Sequence, residues 1–202
     1  MKRLLIIGIA LAGAVAGGTA LSAGNAQVGA TKAVVCRACH GANGNSVNPQ
    51  WPSLAGLGAG YITYQLQSFK SGKRQNPIMA ANAAALTPQD MEDLGAYFDS
   101  LPNTGLQADP RYWKAGEALY RGGDAAHQIP ACMGCHGPTG AGNEPGKIPA
   151  LRGQHATYVI TQLQNYASGA RATDPNEIMR TIAKRLTPDQ MRDVADYVKG
   201  LR

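Results

Sequence analysis

The chain has four cysteines, and all four stand in two copies of one motif, Cys36-Arg37-Ala38-Cys39-His40 and Cys132-Met133-Gly134-Cys135-His136. Two thiols three residues apart lie on one face of a helical turn. They can reach the two vinyl groups along one side of a porphyrin and form thioethers there. The adjacent histidine then offers its imidazole to the iron from one face. The C-x-x-C-H pattern reads as covalent attachment of a c-type haem, and two copies imply two. Other uses of these cysteines fit less well. A disulfide oxidoreductase pair belongs to a strand–helix context that the sequence lacks. Two C-x-x-C pairs sharing one zinc usually lie ~12–20 residues apart, far closer than these. Structural disulfides suit an exported protein but leave the histidine after each pair unexplained.

An iron held by His40 or His136 on one face needs a ligand for the other. The methionines are Met1, Met79, Met91, Met133, Met179 and Met191. Met133 lies inside a motif and has no counterpart in the first half. Met91 and Met191 fall in phase with the apolar stripe of capped helices, where a methionine packs a core. Met79 follows Asn76-Pro77-Ile78, and Met179 follows Pro175-Asn176-Glu177-Ile178. Both stretches read as loops between helices, free to approach the iron, so Met79 and Met179 are the expected sixth ligands. His127 has no counterpart in the first half and His155 aligns with Gly58, so both read as surface or locally hydrogen-bonded residues. Histidine with methionine raises the potential and leaves no open position for oxygen or peroxide. Such a centre passes electrons and does not bind a substrate.

These residues must be positioned by elements, and the elements repeat. The motif recurs after 96 residues, Pro52-Ser53-Leu54-Ala55-Gly56 as Pro149-Ala150-Leu151-Arg152-Gly153 after 97, and Leu86-Thr87-Pro88 as Leu186-Thr187-Pro188 after 100. Tyr61 to Gln67 returns as Tyr158 to Gln164, again after 97. Two repeats of this length are two globular domains rather than a solenoid. The join is expected near Pro102-Asn103-Thr104-Gly105, giving domains over 23–105 and 106–202. Each half reads as helical. Ile62, Leu66 and Phe69 form a stripe at helical spacing. Thr87 is an N-cap with Pro88 in the first turn, and Thr187 to Gln190 is a capping box. No segment alternates as a strand does, so the expected class is all-α. The long irregular stretches Gly41 to Gly58 and Gly137 to Ile148 need a reason in so small a domain. Wrapping a flat cofactor is one. The shortage of large side chains, two Phe and two Trp in 202 residues, agrees with a cofactor filling each core.

Residues 1–22 read as a signal peptide, with Lys2 and Arg3 ahead of the apolar stretch Leu4 to Ala16 and small residues after it. Cleavage would export the chain to the periplasm and leave no integral membrane span. The formal charge of +6 falls by the two leader residues but stays mildly basic, which allows association with a membrane surface. No Lys/Arg run interleaved with aromatics occurs, which excludes nucleic acid as a partner. The second half is the more basic. Arg152, Arg180, Lys184 and Arg185 align with Ala55, Ala80, Ala84 and Ala85, and nearby positive charge favours reduction. The haem of Cys132 and Cys135 is therefore expected to have the higher potential.

The leader, the paired motifs, the Pro-x-Leu-x-Gly segments, the Tyr…Gln-Leu helices, the methionines 79 and 179 and the Leu-Thr-Pro helices together resemble the di-haem cytochrome c4 family over the whole mature chain. The resemblance implies two tandem class I cytochrome c domains related by a pseudo-twofold axis. It also implies that Pro52 and Pro149 offer their carbonyls to the ring N–H of His40 and His136. One departure is Trp51, where the second half has Ile148; it is expected to pack near the first haem. The function expected is that of a two-haem electron carrier, not an enzyme, moving electrons from a quinol-oxidising complex to a terminal oxidase or reductase. The alternatives are a cytochrome subunit of a periplasmic dehydrogenase complex and a di-haem peroxidase.

Overall fold

The computed structural model describes residues 23–201, and the expected leader lies outside the described residues. These residues form ten α-helices in two sets of five. The first set is α1 (Ala26–Lys32), α2 (Val34–His40), α3 (Ala59–Lys70), α4 (Pro77–Ala84) and α5 (Pro88–Asp99). The second is α6 (Trp113–Gly122), α7 (Met133–His136), α8 (Ala156–Ser168), α9 (Ile178–Ala183) and α10 (Pro188–Gly200). Two isolated β-bridges, Asp124 with Ile129 and Asn143 with Ile148, are the extended pairings among the described residues. The all-α expectation is met.

Both sets pack alike. Helix α5 receives α1 and α3, and α10 receives α6 and α8. Helices α5 and α10 start at capping boxes. Thr87 Oγ1 accepts from the Asp90 amide at 3.1 Å, and Thr187 Oγ1 from the Gln190 amide at 3.1 Å. Asp90 completes its box as Gln190 does, although a glutamate or glutamine is the usual partner. Asp90 also takes the Lys32 ammonium, which bonds Asp93 at 3.0 Å as well, so α1 is tied to α5.

The crossing of the terminal helices depends on glycine. A Cβ built on Gly29 of α1 would stand 2.0 Å from the Asp93 carbonyl oxygen of α5. One on Gly116 of α6 would stand 2.0 Å from that of Asp193 in α10. Only a residue without a side chain lets the backbones approach so closely. Beneath the crossings lie Ile62, Leu94 and Phe98 in the first half and Tyr120, Leu163, Val194 and Val198 in the second. Met91 and Met191 are buried there, as expected of core residues.

Residues 101–112 link α5 to α6 without a helix. The halves then meet through polar contacts. Ser53 and Gln154 bond reciprocally, N–H to Oε1 and Nε2 to carbonyl, both at 2.9 Å. The Asn103 amide in the linker bonds Ala55 O at 3.4 Å and Arg152 O at 3.2 Å, one from each half. The carboxylate of Glu144 accepts from the Gly60 amide at 2.6 Å, serving the first turn of α3, which has no side-chain cap of its own.

Candidate functional site

Helix α2 places Cys36, Cys39 and His40 in its last two turns, and α7 does the same for Cys135 and His136 with Cys132 just before it. Gly41 and Gly137 end these helices at φ of 88° and 80°. In that left-handed region a side chain would be strained. The chain there turns back into the two long irregular segments, which return to the histidines. His40 Nδ1–H donates to the Pro52 carbonyl at 2.8 Å, and His136 Nδ1–H to that of Pro149 at 3.0 Å. The proline contacts implied by resemblance are thus present in both halves. With Nδ1 committed, Nε2 is the nitrogen left to bind a metal. Burial lowers the proton affinity of both rings more than the carbonyls raise it, so both are neutral imidazoles with a free lone pair.

The four cysteines are unpaired; Cys36, Cys39 and Cys132 are half-buried and Cys135 is exposed. Burial raises Cys36 above its usual range and pushes Cys132 up to about 11. Redox-active and zinc-bound cysteines have the opposite tuning, towards the thiolate. Among the described residues no three His, Cys, Asp or Glu side chains converge as metal ligands. The raised Cys36 and Cys132 thiols oppose the oxidoreductase use of the motif.

Met79 and Met179 do not lie in loops. Met79 is in the first turn of α4 and Met179 in the first turn of α9. Asn76 caps α4, its side chain accepting from the Met79 amide at 3.0 Å. Proline at the first helical position and asparagine before it are a start signal, and the stretch read as a loop is the helix entrance. In the second half the capping carboxylate is Asp174, which accepts from the Arg180 amide at 2.9 Å and from Arg180 Nε at 2.8 Å. Asn176 and Glu177, at φ of 52° and 58°, turn the chain just ahead of Met179.

In the first half a cavity of about 330 Å³ is lined by Cys36, Cys39, His40 and Met79. Leu54, Leu57, Ile62, Leu66, Phe69, Leu94 and Phe98 make its walls apolar, and Trp51 also borders it. The apolar walls and the cysteine and histidine beside them suit a flat macrocycle. In the second half Cys132 and Met179 flank one core cluster that contains Leu119, Tyr120, Leu163 and Tyr166. His136 is buried and held by Pro149, as His40 is by Pro52.

Two further residues were invisible as site residues in the sequence. Arg74 and Arg171 border the same cavity from different halves. Their signal was the repeat register: Arg74 and Arg171 stand 97 residues apart, as do Tyr61 and Tyr158, and Gln65 and Gln162. The histidines outside the motif diverge. His127 is exposed and bonded to Asp124 at 2.7 Å, a local partner as expected. His155 is buried, and its Nε2–H donates to the Ser46 carbonyl of the other half at 2.7 Å. It is neither a surface residue nor a local one, because the interface encloses it.

The family model described as cytochrome c matches the chain twice, over residues 22–102 and 114–202. Cytochrome c4 of Azotobacter vinelandii is 44% identical over 194 residues, covering 91% of this chain and 92% of that protein. The chain belongs to the cytochrome c4 family. The crystal structure of reduced recombinant cytochrome c4 from Pseudomonas stutzeri superposes with a TM-score of 0.87 at 40% identity, covering 89% of this chain and all of that one. A thiosulfate dehydrogenase electron acceptor of Stutzerimonas stutzeri is 38% identical, covering 82% of this chain and 78% of that protein. As a cytochrome c4-family protein the chain is a di-haem electron carrier and not an enzyme, with two covalently bound haem c groups in two cytochrome c domains. No helix among the described residues is long and apolar enough to cross a membrane.

Proposed function

We propose that the chain works in the periplasm, taking single electrons from a quinol-oxidising complex and passing them to a terminal oxidase or reductase. In this reading Cys36 and Cys39 hold one haem by thioethers and Cys132 and Cys135 hold the other. His40 with Met79 and His136 with Met179 are the axial ligands. The observation that carries the reading is the grouping of Cys36, Cys39, His40 and Met79 around one apolar cavity. Bound haem supplies a one-electron iron couple. The protein's own residues set its terms. Pro52 and Pro149 fix the histidine tautomers and raise the basicity of Nε2. The methionine thioethers favour ferrous iron and raise the potential. The apolar walls exclude water.

A second reading, electron acceptor of a periplasmic dehydrogenase, is favoured by the similarity to the thiosulfate dehydrogenase electron acceptor. The two separate in one experiment. The oxidised, purified holoprotein is mixed in turn with a quinol-oxidising membrane fraction supplied with quinol and with a thiosulfate-oxidising dehydrogenase supplied with thiosulfate, and the rate of haem reduction is measured. Faster reduction by the membrane fraction supports the first reading. Rapid reduction by the dehydrogenase alone, or its co-purification, replaces it with the second. Recovery of the protein in the cytoplasm on cell fractionation would overturn both.

A further inference from the structure

The proline carbonyls that hold the two motif histidines belong to peptides whose other end faces the opposite half. The Pro52–Ser53 peptide accepts the His40 Nδ1–H at its carbonyl, at 2.8 Å, and its Ser53 N–H donates to Gln154 Oε1 of the second half at 2.9 Å. The Pro149–Ala150 peptide accepts the His136 Nδ1–H at 3.0 Å, and its Ala150 N–H donates to the Leu57 carbonyl of the first half at 3.3 Å. Ser53 and Ala150 stand 97 residues apart, as do Leu57 and Gln154, so the repeat builds the same crossed bond twice. The two copies differ in one respect. The first peptide meets a side-chain amide, the second a backbone carbonyl and at a longer distance.

The Gln154 amide is fixed at both ends. Its Nε2 donates to the Ser53 carbonyl at 2.9 Å, and its Oε1 also takes the His155 N–H at 3.1 Å. Gln154 and Ser53 are each only 4% exposed, so bulk water does not compete for the Ser53 N–H. A peptide group is one conjugated unit. An acceptor on its N–H draws the nitrogen lone pair towards the carbonyl and makes that oxygen a stronger acceptor. Linked hydrogen bonds strengthen one another in this way by roughly 10–30% each, and low dielectric adds to the effect. A stronger bond at Nδ1–H gives the imidazole more anionic character, and its Nε2 then donates more to a metal.

We propose that Gln154 is a positioning residue for the first haem: through the Pro52–Ser53 peptide it strengthens electron donation by His40 and holds that haem's potential down. This rests on the reading of His40 as an axial ligand and adds a residue of the opposite half that tunes it. Stronger donation from the histidine favours ferric iron, so the first potential rises when Gln154 is lost. The second haem has a backbone carbonyl at the equivalent place, so its potential does not depend on a side chain there.

The test is a redox titration of the full-length holoprotein that follows each haem separately by NMR, with the Nδ1–H resonances of His40 and His136 read in the reduced, diamagnetic state. In Gln154→Ala the reduction constant of the first haem is expected to rise about threefold, equal to ~28 mV for one electron. The His40 Nδ1–H resonance is expected to move to lower frequency as its bond weakens. The His136 resonance and the second potential are expected to stay. Gln154→Glu, which keeps an acceptor for the Ser53 N–H, is expected to return the first potential to the parent value or below. The sign separates tuning from mere loosening, because water admitted to a haem favours the ferric state and lowers its potential. His155→Ala breaks the bond to Ser46 but leaves the Ser53 N–H its partner, and is expected to raise neither potential. The proposal is overturned by a first potential that falls or stays in Gln154→Ala, or by a rise shared by both haems. A rise that glutamate fails to reverse, or an equal rise in His155→Ala, overturns it too. If Gln154→Ala does not fold, Gln154→Met, which removes the acceptor and keeps the volume, decides by the same criteria. The parent spectrum tests the ligand reading by itself. His40 ring C–H resonances without the large ring-current shift of a group over a porphyrin face defeat that reading, whereas shifted resonances with an unmoved first potential defeat only the role of Gln154.

Discussion

At the scale of single residues, the ligand assignment separates two pairs of methionines by place. Met79 borders the cavity with His40, and Met91 is buried in α5 at 2% exposure. Met79→Leu is expected to open one iron position, lower that haem's potential and allow carbon monoxide to bind it, and Met179→Leu to do so for the other. Met91→Leu is expected to change neither, at a stability cost below ~1.5 kcal/mol as a volume-conserving core exchange. Carbon monoxide difference spectra check this, and binding in Met91→Leu but not in Met79→Leu would transfer the ligand role. Lys32 offers a residue-scale test of pH dependence. Its hydrogen bond to Asp90, aided by Thr87, holds that carboxyl down at about 2. A depressed carboxyl stabilises the fold above its unfolded pKa of ~3.9 and loses that contribution as pH falls towards about 2. Lys32→Met should flatten this acid limb in urea unfolding measured between those limits, with little change in its shape at neutral pH.

At the scale of elements, the terminal helix crossings are the sharpest constraint. Gly29→Ala and Gly116→Ala each drive a methyl against a carbonyl of the opposing helix. Each is expected to cost ~1–3 kcal/mol as overpacking, read as a lower denaturation midpoint with both haems still attached. Unchanged midpoints would mean that the helices can separate freely. Sequence periodicity showed the helices but not which of their glycines touch. A glycine chosen for close approach looks the same in sequence as one in an open turn. The misplacement of Met79 and Met179 has a similar origin. Asn76-Pro77 and Pro175-Asn176-Glu177 read locally as loop, yet they are the entrances to α4 and α9. A first turn without an apolar stripe gives periodicity nothing to detect.

For the whole molecule, the contact between the halves is the property to test. Gln154 bonds Ser53 through both ends of its amide, and His155 bonds Ser46. Gln154→Ala leaves a buried N–H and carbonyl of Ser53 without those partners, a cost of ~1–3 kcal/mol for each unsatisfied group. The combined Gln154→Ala, His155→Ala protein is expected to unfold in two steps as the halves lose cooperativity. A single transition at the parent midpoint would show that these bonds do not couple the domains. The same scale changes the account of charge. Counting by halves makes the second haem the more positive. In the fold Arg180 is balanced by Asp174 at 2.8 Å and Glu177 at 3.3 Å, while Arg171 borders the first cavity. Charge per half is therefore a poor basis for ranking the two potentials.

What sequence by itself determined here is what depends on short spacing. Two cysteines and a histidine within five residues define an attachment chemistry, a repeated order of motifs defines two like domains, and Thr-Pro followed by an acceptor three residues after the threonine defines a helix start. The first and the last are settled by atoms a turn or two apart along the chain, and the repeat by comparing the sequence with itself, so no knowledge of the fold is needed. The tertiary structure alone decided the rest. Arg171 in sequence is one more polar residue near a glycine, and only folding buries it beside Arg74 with neutral partners about a hundred residues away. His155 became an interface residue for the same reason. Burial and the sign of the surrounding charge belong to neighbours in space, and chain spacing carries them only where a repeat, as here at 97 residues, brings the same pair of positions together twice.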